Sequence, residues 1–447
     1  MTFLPFDELR TGLTDRDELE AIVTAVPGPR SRALAADLVA YEAPGVTYLA
    51  DDYPVFWESA AGALVTDADG NRYLDLTSAF GVAAAGHTNS RVASAVADQA
   101  HRLMHGMGDV HPTELRTRLL ARLAQFAPGD LRKTYLATSG AEAVEFALKT
   151  ALLATGKPRV LAYHGAYHGL SLGALEVAGI DKFRAPFAPL VPGRATFLPF
   201  PGADATVDGA IDAVRTALGH DPDIGAVILE PVQGRGGVIV PPHGFLRALR
   251  ALCDERALLL ILDEIYTGFG RTGTMFACEH EGVVPDLLCV GKALGGGVPL
   301  SATIGTPRAM DAWPVSAGEA IHTSTFLGNP LACAAALANL DELERLGVVG
   351  LVRAREAALG ARLRALSSRA SVRDVRGVGF LWAVEFAHAA FANRVVVRGL
   401  ARGVILLQSG ATGTSITIAP PLTIGDAQLA RALDLFAAAI DETEEQP

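Results

Sequence analysis

The strongest constraint on the fold is a pair of short apolar runs, each bounded by turn signals and each ending in a chemically useful residue. In LLLILDEIYTGFGRTG the apolar run from Leu258 ends at Asp263. In DLLCVGKALGGGVPLSA a second run ends at Lys292, 29 positions further on, in a glycine-rich turn. Runs of four to eight apolar residues between turn signals read as strands buried on both faces of a parallel sheet. The polar residue where such a strand ends reaches the crevice in which open α/β sheets bind ligands.

The rest of the chain supports a layered α/β reading. LVTDADGNRYLDLTSAFG reads as a hairpin with DADGN as its turn, after an irregular, partly helical arm over residues 1 to about 60. Two amphipathic helices are expected between about 88 and 127, broken near His111-Pro112. A helix over about 140–155 starts at Ser139-Gly140 and stops at Gly156-Lys157-Pro158. Next come strand RVLAY, a Gly/His loop, helix DGAIDAVRTALG, strand GAVILE, helix GFLRALRALCDERA and the two apolar strands. That alternation predicts a mainly parallel sheet with helices on both faces. Beyond 330, two long helical segments lead into VRGVGFLWAVEF and SITIAP, strands of a small α+β domain. The expected division is an arm and part of the small domain over 1–75, a large domain over 76–330 and a C-terminal small domain over 331–447.

Bulk properties exclude several functions. A net charge of −11 with no basic run argues against nucleic acid. The four cysteines lack CxxC or metal spacing and read as core thiols of a reducing compartment. The N-terminal residues include Asp7, Glu8, Asp15 and Asp17 and no long apolar stretch, so neither signal peptide nor membrane anchor is expected, and the cytoplasm is the default. His164 and His168 are four apart, but in a glycine loop without an accompanying acid, so no metal is expected. Lysine is scarce, five among 38 basic residues, which gives weight to the one that ends an apolar run.

An acid and a lysine at two strand ends suit pyridoxal phosphate. The amine can form a Schiff base with the cofactor aldehyde, and the carboxylate can keep the ring nitrogen protonated so that the ring acts as an electron sink. The motifs LDEIYTGFGRTG, GKALGGG, EPVQGRGG, SGAEA, AYHG, HTSTFLGNPLA and IAPPLTI occur together across nearly the whole chain. With them the sequence resembles the class III (ornithine/4-aminobutyrate type) pyridoxal-phosphate aminotransferases of fold type I.

The resemblance implies a role for each matching residue. Lys292 would be the Schiff-base lysine and the base that moves the proton, and Asp263 the partner of the pyridine nitrogen. Ile265 and Tyr167, with His168 beside it, would enclose the ring. Ser139, Gly140 and Ala141 would form the phosphate loop. Thr325 would reach the phosphate of a neighbouring subunit, which implies a homodimer with the site at its interface. Glu230 would lie beside the cofactor. Small amines, amino acids and 2-oxo acids would be the substrates.

Three departures from the family bear on substrate. Family members acting on amino acids often pair an acid five residues after the EPxxG glutamate with an arginine in an IRxAPPL-like segment, and that arginine holds the substrate carboxylate. Here the two positions are Arg235 and Thr417. Arg235 then either binds an anion from the opposite side or only neutralises a neighbouring acid such as Glu230. Tyr266 stands where glutamine is frequent, and Phe80 where ornithine-type members have tyrosine. Tyr53 and Trp57 are further candidates for the pocket wall. A racemase, epimerase or aminomutase on the same fold is the alternative to a transaminase, but Arg235, effectively always protonated, would make a poor second base.

Overall fold

The computed structural model describes residues 18–446. The acidic residues Asp7, Glu8, Asp15 and Asp17 and the first part of the arm lie outside the described residues. Three antiparallel strands come first: β1 (Trp57–Ala61), β2 (Leu64–Asp67) and β3 (Arg72–Asp75). β2 and β3 form the expected hairpin, with Leu64 opposite Leu74. Asp67 shapes its turn, because Oδ1 accepts the amides of Asp69 at 2.9 Å and Asn71 at 2.8 Å.

Seven strands build the central sheet: β4 (Lys133–Ala137), β5 (Arg159–Tyr163), β6 (Ala195–Leu198), β7 (Ile224–Leu229), β8 (Leu259–Asp263), β9 (Leu287–Val290) and β10 (Ser301–Gly305). Their order is β4-β10-β9-β8-β7-β5-β6. β6, β5, β7, β8 and β9 pair in parallel, and β10 runs against both its neighbours. Every residue of β7, β8 and β9 is buried, as unbroken apolar strands between two helical layers require. Each buried Leu, Ile or Val contributes roughly 1.5–3 kcal/mol relative to exposure. The helices Val207–His220 and Phe245–Arg256 follow the expected alternation. So do Ser90–Arg102 and Glu114–Phe126, with the break between them. The strands β4, β6 and β10 were not expected.

The C-terminal segment begins with helices Pro330–Arg345 and Val348–Arg364. VRGVGFLWAVEF folds as a hairpin of β11 (Val372–Val378) and β12 (Leu381–Phe386) around Gly379, at φ +58. A Cβ there would lie 2.4 Å from the carbonyl carbon of Thr272, so the turn needs glycine twice over. β13 (Val404–Ile405) pairs in parallel with β3 and stitches this segment to the N-terminal hairpin. β14 (Leu407–Ser409) and β15 (Ser415–Ile418) complete a sheet of order β11-β12-β15-β14.

This topology prepares a site. β4 runs with β5, β7, β8 and β9, because both β4 and β9 are antiparallel to β10. The C-terminal ends of all these strands therefore share one edge of the sheet. Among the described residues, no helix is long and apolar enough to cross a membrane.

Candidate active site

A cavity of 330 Å³ opens at that edge. Lys292 reaches it directly after Gly291, the residue following β9, and holds a left-handed φ of +44. Strain of this kind in a non-glycine residue persists only where the surroundings hold it. Its Nζ lies 3.7 Å from the centre of the Tyr266 ring. Burial lowers the Lys292 pKa from 10.5 to about 8, while the Glu230 and Asp263 carboxylates pull upward and Arg271 and Arg235 push down with burial. A neutral amine is the nucleophilic form, so desolvation prepares this lysine to attack an aldehyde.

Asp263 ends β8 and is buried. Its Oδ1 accepts the Ile265 amide at 3.0 Å, and its Oδ2 pairs with His168 Nδ1 at 2.7 Å. Burial opposes the His168 cation, yet the hydrogen bond and charge of Asp263, helped by Glu230, raise its pKa above the ordinary value. Glu230 follows β7. Burial pushes its pKa up to about 7, His168 opposes and Asp263 adds to the rise. Both its oxygens are occupied by backbone, Oε1 by the Tyr167 amide at 2.9 Å and Oε2 by the Gly234 amide at 2.8 Å.

At the other end, helix Gly140–Thr155 points its start into the cavity. Ser139 caps it by accepting the Glu142 amide at 3.2 Å. The first amides, at Gly140 and Ala141, have no partner within the helix and carry its positive dipole end, a ready site for a dianionic phosphate. Gly140 is sterically required, since a Cβ would come 2.8 Å from Ile265 Cδ1. Tyr167 and Ile265 also line the cavity. The donor set fits pyridoxal phosphate: Lys292 for the aldehyde, Asp263 for the ring nitrogen, the helix start for the phosphate and Tyr167 and Ile265 for the ring faces. Ser301, Gly169 and Leu170 line it too and were missed. Ser301 was hidden because it starts β10, the antiparallel strand that the alternation of parallel strands gave no reason to expect.

Five sequence candidates lie elsewhere in the single chain. Tyr53 lines a separate apolar cavity of 60 Å³ with Trp57, Val396 and Leu400, where it packs as a core aromatic. Thr417 is buried in β15, and its hydroxyl is spent donating to Ser409 Oγ at 2.6 Å. Phe80 is 60% exposed, turned outward by left-handed backbone from Ser78 to Gly81. Thr325 is exposed beside the exposed Phe326.

Arg235 and Tyr266 do line the cavity. Arg235 Nη1 donates to the Gln408 carbonyl at 3.0 Å, and no carboxylate among the described residues pairs with it. The Tyr266 ring is wedged between two glycines: a Cβ on Gly81 would meet Cε2 at 2.5 Å, and one on Gly234 would meet Cδ1 at 2.3 Å. Its hydroxyl is buried without a partner, and burial pushes its pKa up to about 12.

Comparison with known proteins agrees with this geometry. Residues 48–440 match the family described as Aminotransferase class-III. The chain is 40% identical to a putrescine aminotransferase of Pectobacterium atrosepticum, over 87% of this chain and 82% of that protein. Its fold matches an (S)-enantioselective ω-transaminase from Thermomicrobium roseum with a TM-score of 0.86 and 30% identity, covering 92% of this chain and 98% of that one. It also matches an amine transaminase from an uncultivated Pseudomonas species, solved with pyridoxal phosphate bound, at a TM-score of 0.83 and 30% identity over 90% and 98% of the two chains. With this fold, this cavity and these relatives, the chain belongs to the class III aminotransferases, pyridoxal-phosphate-dependent transaminases of fold type I.

Proposed function

We propose that this transaminase takes its amino group from an amine or ω-amino acid and passes it to a 2-oxo acid. The observation that carries the donor class is at Thr417: with its hydroxyl spent on Ser409, β15 presents no cation to an α-carboxylate. The names of the relatives, a putrescine aminotransferase and an amine transaminase, support the same class.

Bound pyridoxal phosphate supplies the electron sink that lets a proton leave the amino-bearing carbon. The chain's own residues do the rest. Lys292 would hold the cofactor and carry the proton at Nζ, and its pKa, lowered to about 8, gives it a far larger neutral fraction near neutrality than an ordinary lysine has. Asp263 holds the ring nitrogen protonated, and His168 fixes the carboxylate that does so. Gly140 and Ala141 anchor the phosphate. Arg235 stands where a second base would serve a racemase, and a guanidinium cannot give up its proton there.

Two further parts of the proposal concern the assembly and its location. The protein forms a homodimer with the cavity at its interface, supported by the exposed Met104, Met107, Val110, Ile321 and Phe326 near Thr325. It works in the cytoplasm, supported by four buried free cysteines. Light scattering would find a species of twice the chain mass, and a monomer at micromolar concentration would overturn the dimer.

The activity is tested by adding single amines to the purified holoenzyme and following the visible absorbance of its cofactor. The panel sets 4-aminobutyrate, β-alanine, ornithine and alanine against amines without a carboxylate, putrescine among them. Amines or ω-amino acids should bleach the band and a 2-oxo acid should restore it. Bleaching by alanine alone would refute the donor class, and no bleaching by any amine would refute the transaminase.

A further inference from the structure

We propose that Arg235 and Tyr266 together form the anion site that receives the carboxylate of the 2-oxo acid acceptor. This inference rests on the transaminase reading and deepens it. A 2-oxo acid cannot leave water without a partner for its carboxylate, because an unpaired buried charge costs several kcal/mol. Thr417 offers none, so the partner must lie elsewhere in the lining.

The cavity walls carry three groups that can be positive: Lys292, His168 and Arg235. Lys292 is committed to the cofactor. His168 is held to Asp263 through Nδ1 at 2.7 Å, so its charge is already answered by a carboxylate, while its Nε2 is buried without a partner. Arg235 remains, and its state is that of a cation awaiting an anion. Among the described residues, only an Nη1 hydrogen of its five donors is engaged, by the Gln408 carbonyl at 3.0 Å. No ion pair joins it to Glu230 among the described residues, and the two Glu230 oxygens accept the amides of Tyr167 and Gly234. Its backbone is pinned as well, with the Arg235 carbonyl accepting the Gly410 amide at 2.9 Å. Gln408 in turn is fixed by donating to the carbonyls of Ala389 at 2.9 Å and Gly413 at 2.6 Å. A guanidinium held this way loses little freedom on binding a planar carboxylate.

Tyr266 supplies the second donor. Its ring packs on Gly234, the residue before Arg235, so the loop after β8 lies against the loop that carries Arg235. Its hydroxyl is fully buried and has no partner, a state that costs about 1–3 kcal/mol until something accepts the hydrogen bond. Arg235, Tyr266, Tyr167 and Lys292 line one cavity, and the Arg235 charge acts to lower the pKa of each of the other three. An acceptor whose carboxylate rests on Arg235 and Tyr266 would direct its carbonyl towards Lys292.

The test uses the holoenzyme and a ligand that cannot react. Glutarate is titrated calorimetrically into wild type, Arg235→Gln, Arg235→Lys and Tyr266→Phe, each first shown to keep the cofactor's visible band. Glutarate should bind wild type, weaken at least tenfold in Arg235→Gln, recover part of the loss in Arg235→Lys and weaken a few-fold in Tyr266→Phe. In turnover, the preference for pyruvate over propanal as acceptor should fall at least tenfold in Arg235→Gln, through KM more than kcat. No binding of glutarate to wild type would overturn the proposal. So would unchanged binding in Arg235→Gln, or an equal loss with pyruvate and propanal. A protein that binds glutarate through Arg235 but is bleached by no amine would keep the anion site and lose the transaminase.

Discussion

Replacing Gly81 by alanine should be costly in a way that one partner substitution relieves. Gly81 sits at φ +84, and a Cβ there would lie 2.5 Å from Tyr266 Cε2 and 2.8 Å from Cδ2. Ordinary carbon contacts are about 3.5–4.0 Å, so the ring would have to retreat by about an ångström. It has nowhere to go, because its other side rests against Gly234 and Lys292 Nζ stands 3.7 Å from its centre. Overpacking of this kind costs about 1–3 kcal/mol. The left-handed backbone adds about 1–2 kcal/mol for a residue with a Cβ. Gly81→Ala should therefore lose about 2–5 kcal/mol in urea unfolding of the holoenzyme, at fixed protein and cofactor concentration. In a Tyr266→Gln background the ring is gone and only the backbone share remains. The coupling between the two substitutions should then be about 1–3 kcal/mol. Equal costs of Gly81→Ala in both backgrounds, within about 0.5 kcal/mol, would refute the wedged ring.

Three more perturbations probe the rest of the site. Asp263→Asn removes the carboxylate that would keep the ring nitrogen protonated; a hydrogen bond to a charged group is worth about 1.5–3 kcal/mol, a factor of roughly 10–10², and turnover should fall by at least that much while the cofactor stays attached. Turnover within tenfold of wild type would exclude Asp263 from the chemistry. The rate at which apoenzyme recovers its visible band with added pyridoxal phosphate should rise with pH through a midpoint near 8, since lower pH protonates the Lys292 amine; a midpoint near 10.5 would mean that the amine is not desolvated. Arg271 is fully buried, donating to the carbonyls of Phe380 at 3.1 Å and Pro420 at 2.6 Å and to Ser78 Oγ at 3.2 Å. Arg271→Lys cannot span all three, and at about 1–3 kcal/mol for each buried acceptor left unmet it should lower the unfolding temperature clearly; an unchanged temperature would refute that role.

What was legible in the sequence was whatever repeats a local rule. The strands β7, β8 and β9 announce themselves because burial on both faces leaves no polar residue inside them. The helix Gly140–Thr155 has a serine cap and a glycine stop at φ +69, so its bounds could be read to the residue. β10 escaped because SATIG is short and follows PL rather than a helix, and nothing local marks a reversal of direction. The wedge of Tyr266 escaped for a different reason. Gly81 and Gly234 stand far from it in sequence, and only the folded chain shows that both make room for one ring. Tyr53 illustrates the converse error, a plausible pocket aromatic that packs in the core beside Val55 and Tyr73.

The departures at Arg235 and Thr417 are best understood through β14, the strand that touches both. Thr417 pairs across it with Leu407 and gives its hydroxyl to Ser409, so the position that could carry an arginine is closed by a neutral hydrogen bond and leaves neither void nor charge. Arg235 hangs from the carbonyl of Gln408, the residue between those two. β14 thus holds the neutral Thr417 through Ser409 and the cationic Arg235 through the carbonyl one residue before it. Restoring only the lost member, by Thr417→Arg, should add nothing to carboxylate binding. It would bury a further guanidinium with no acid to pair it, at a cost of several kcal/mol. The double variant Arg235→Glu with Thr417→Arg supplies both charges and should fold where the single Thr417→Arg does not. If the single variant proves as stable as wild type and binds glutarate more tightly, the two positions are independent and β14 does not couple them.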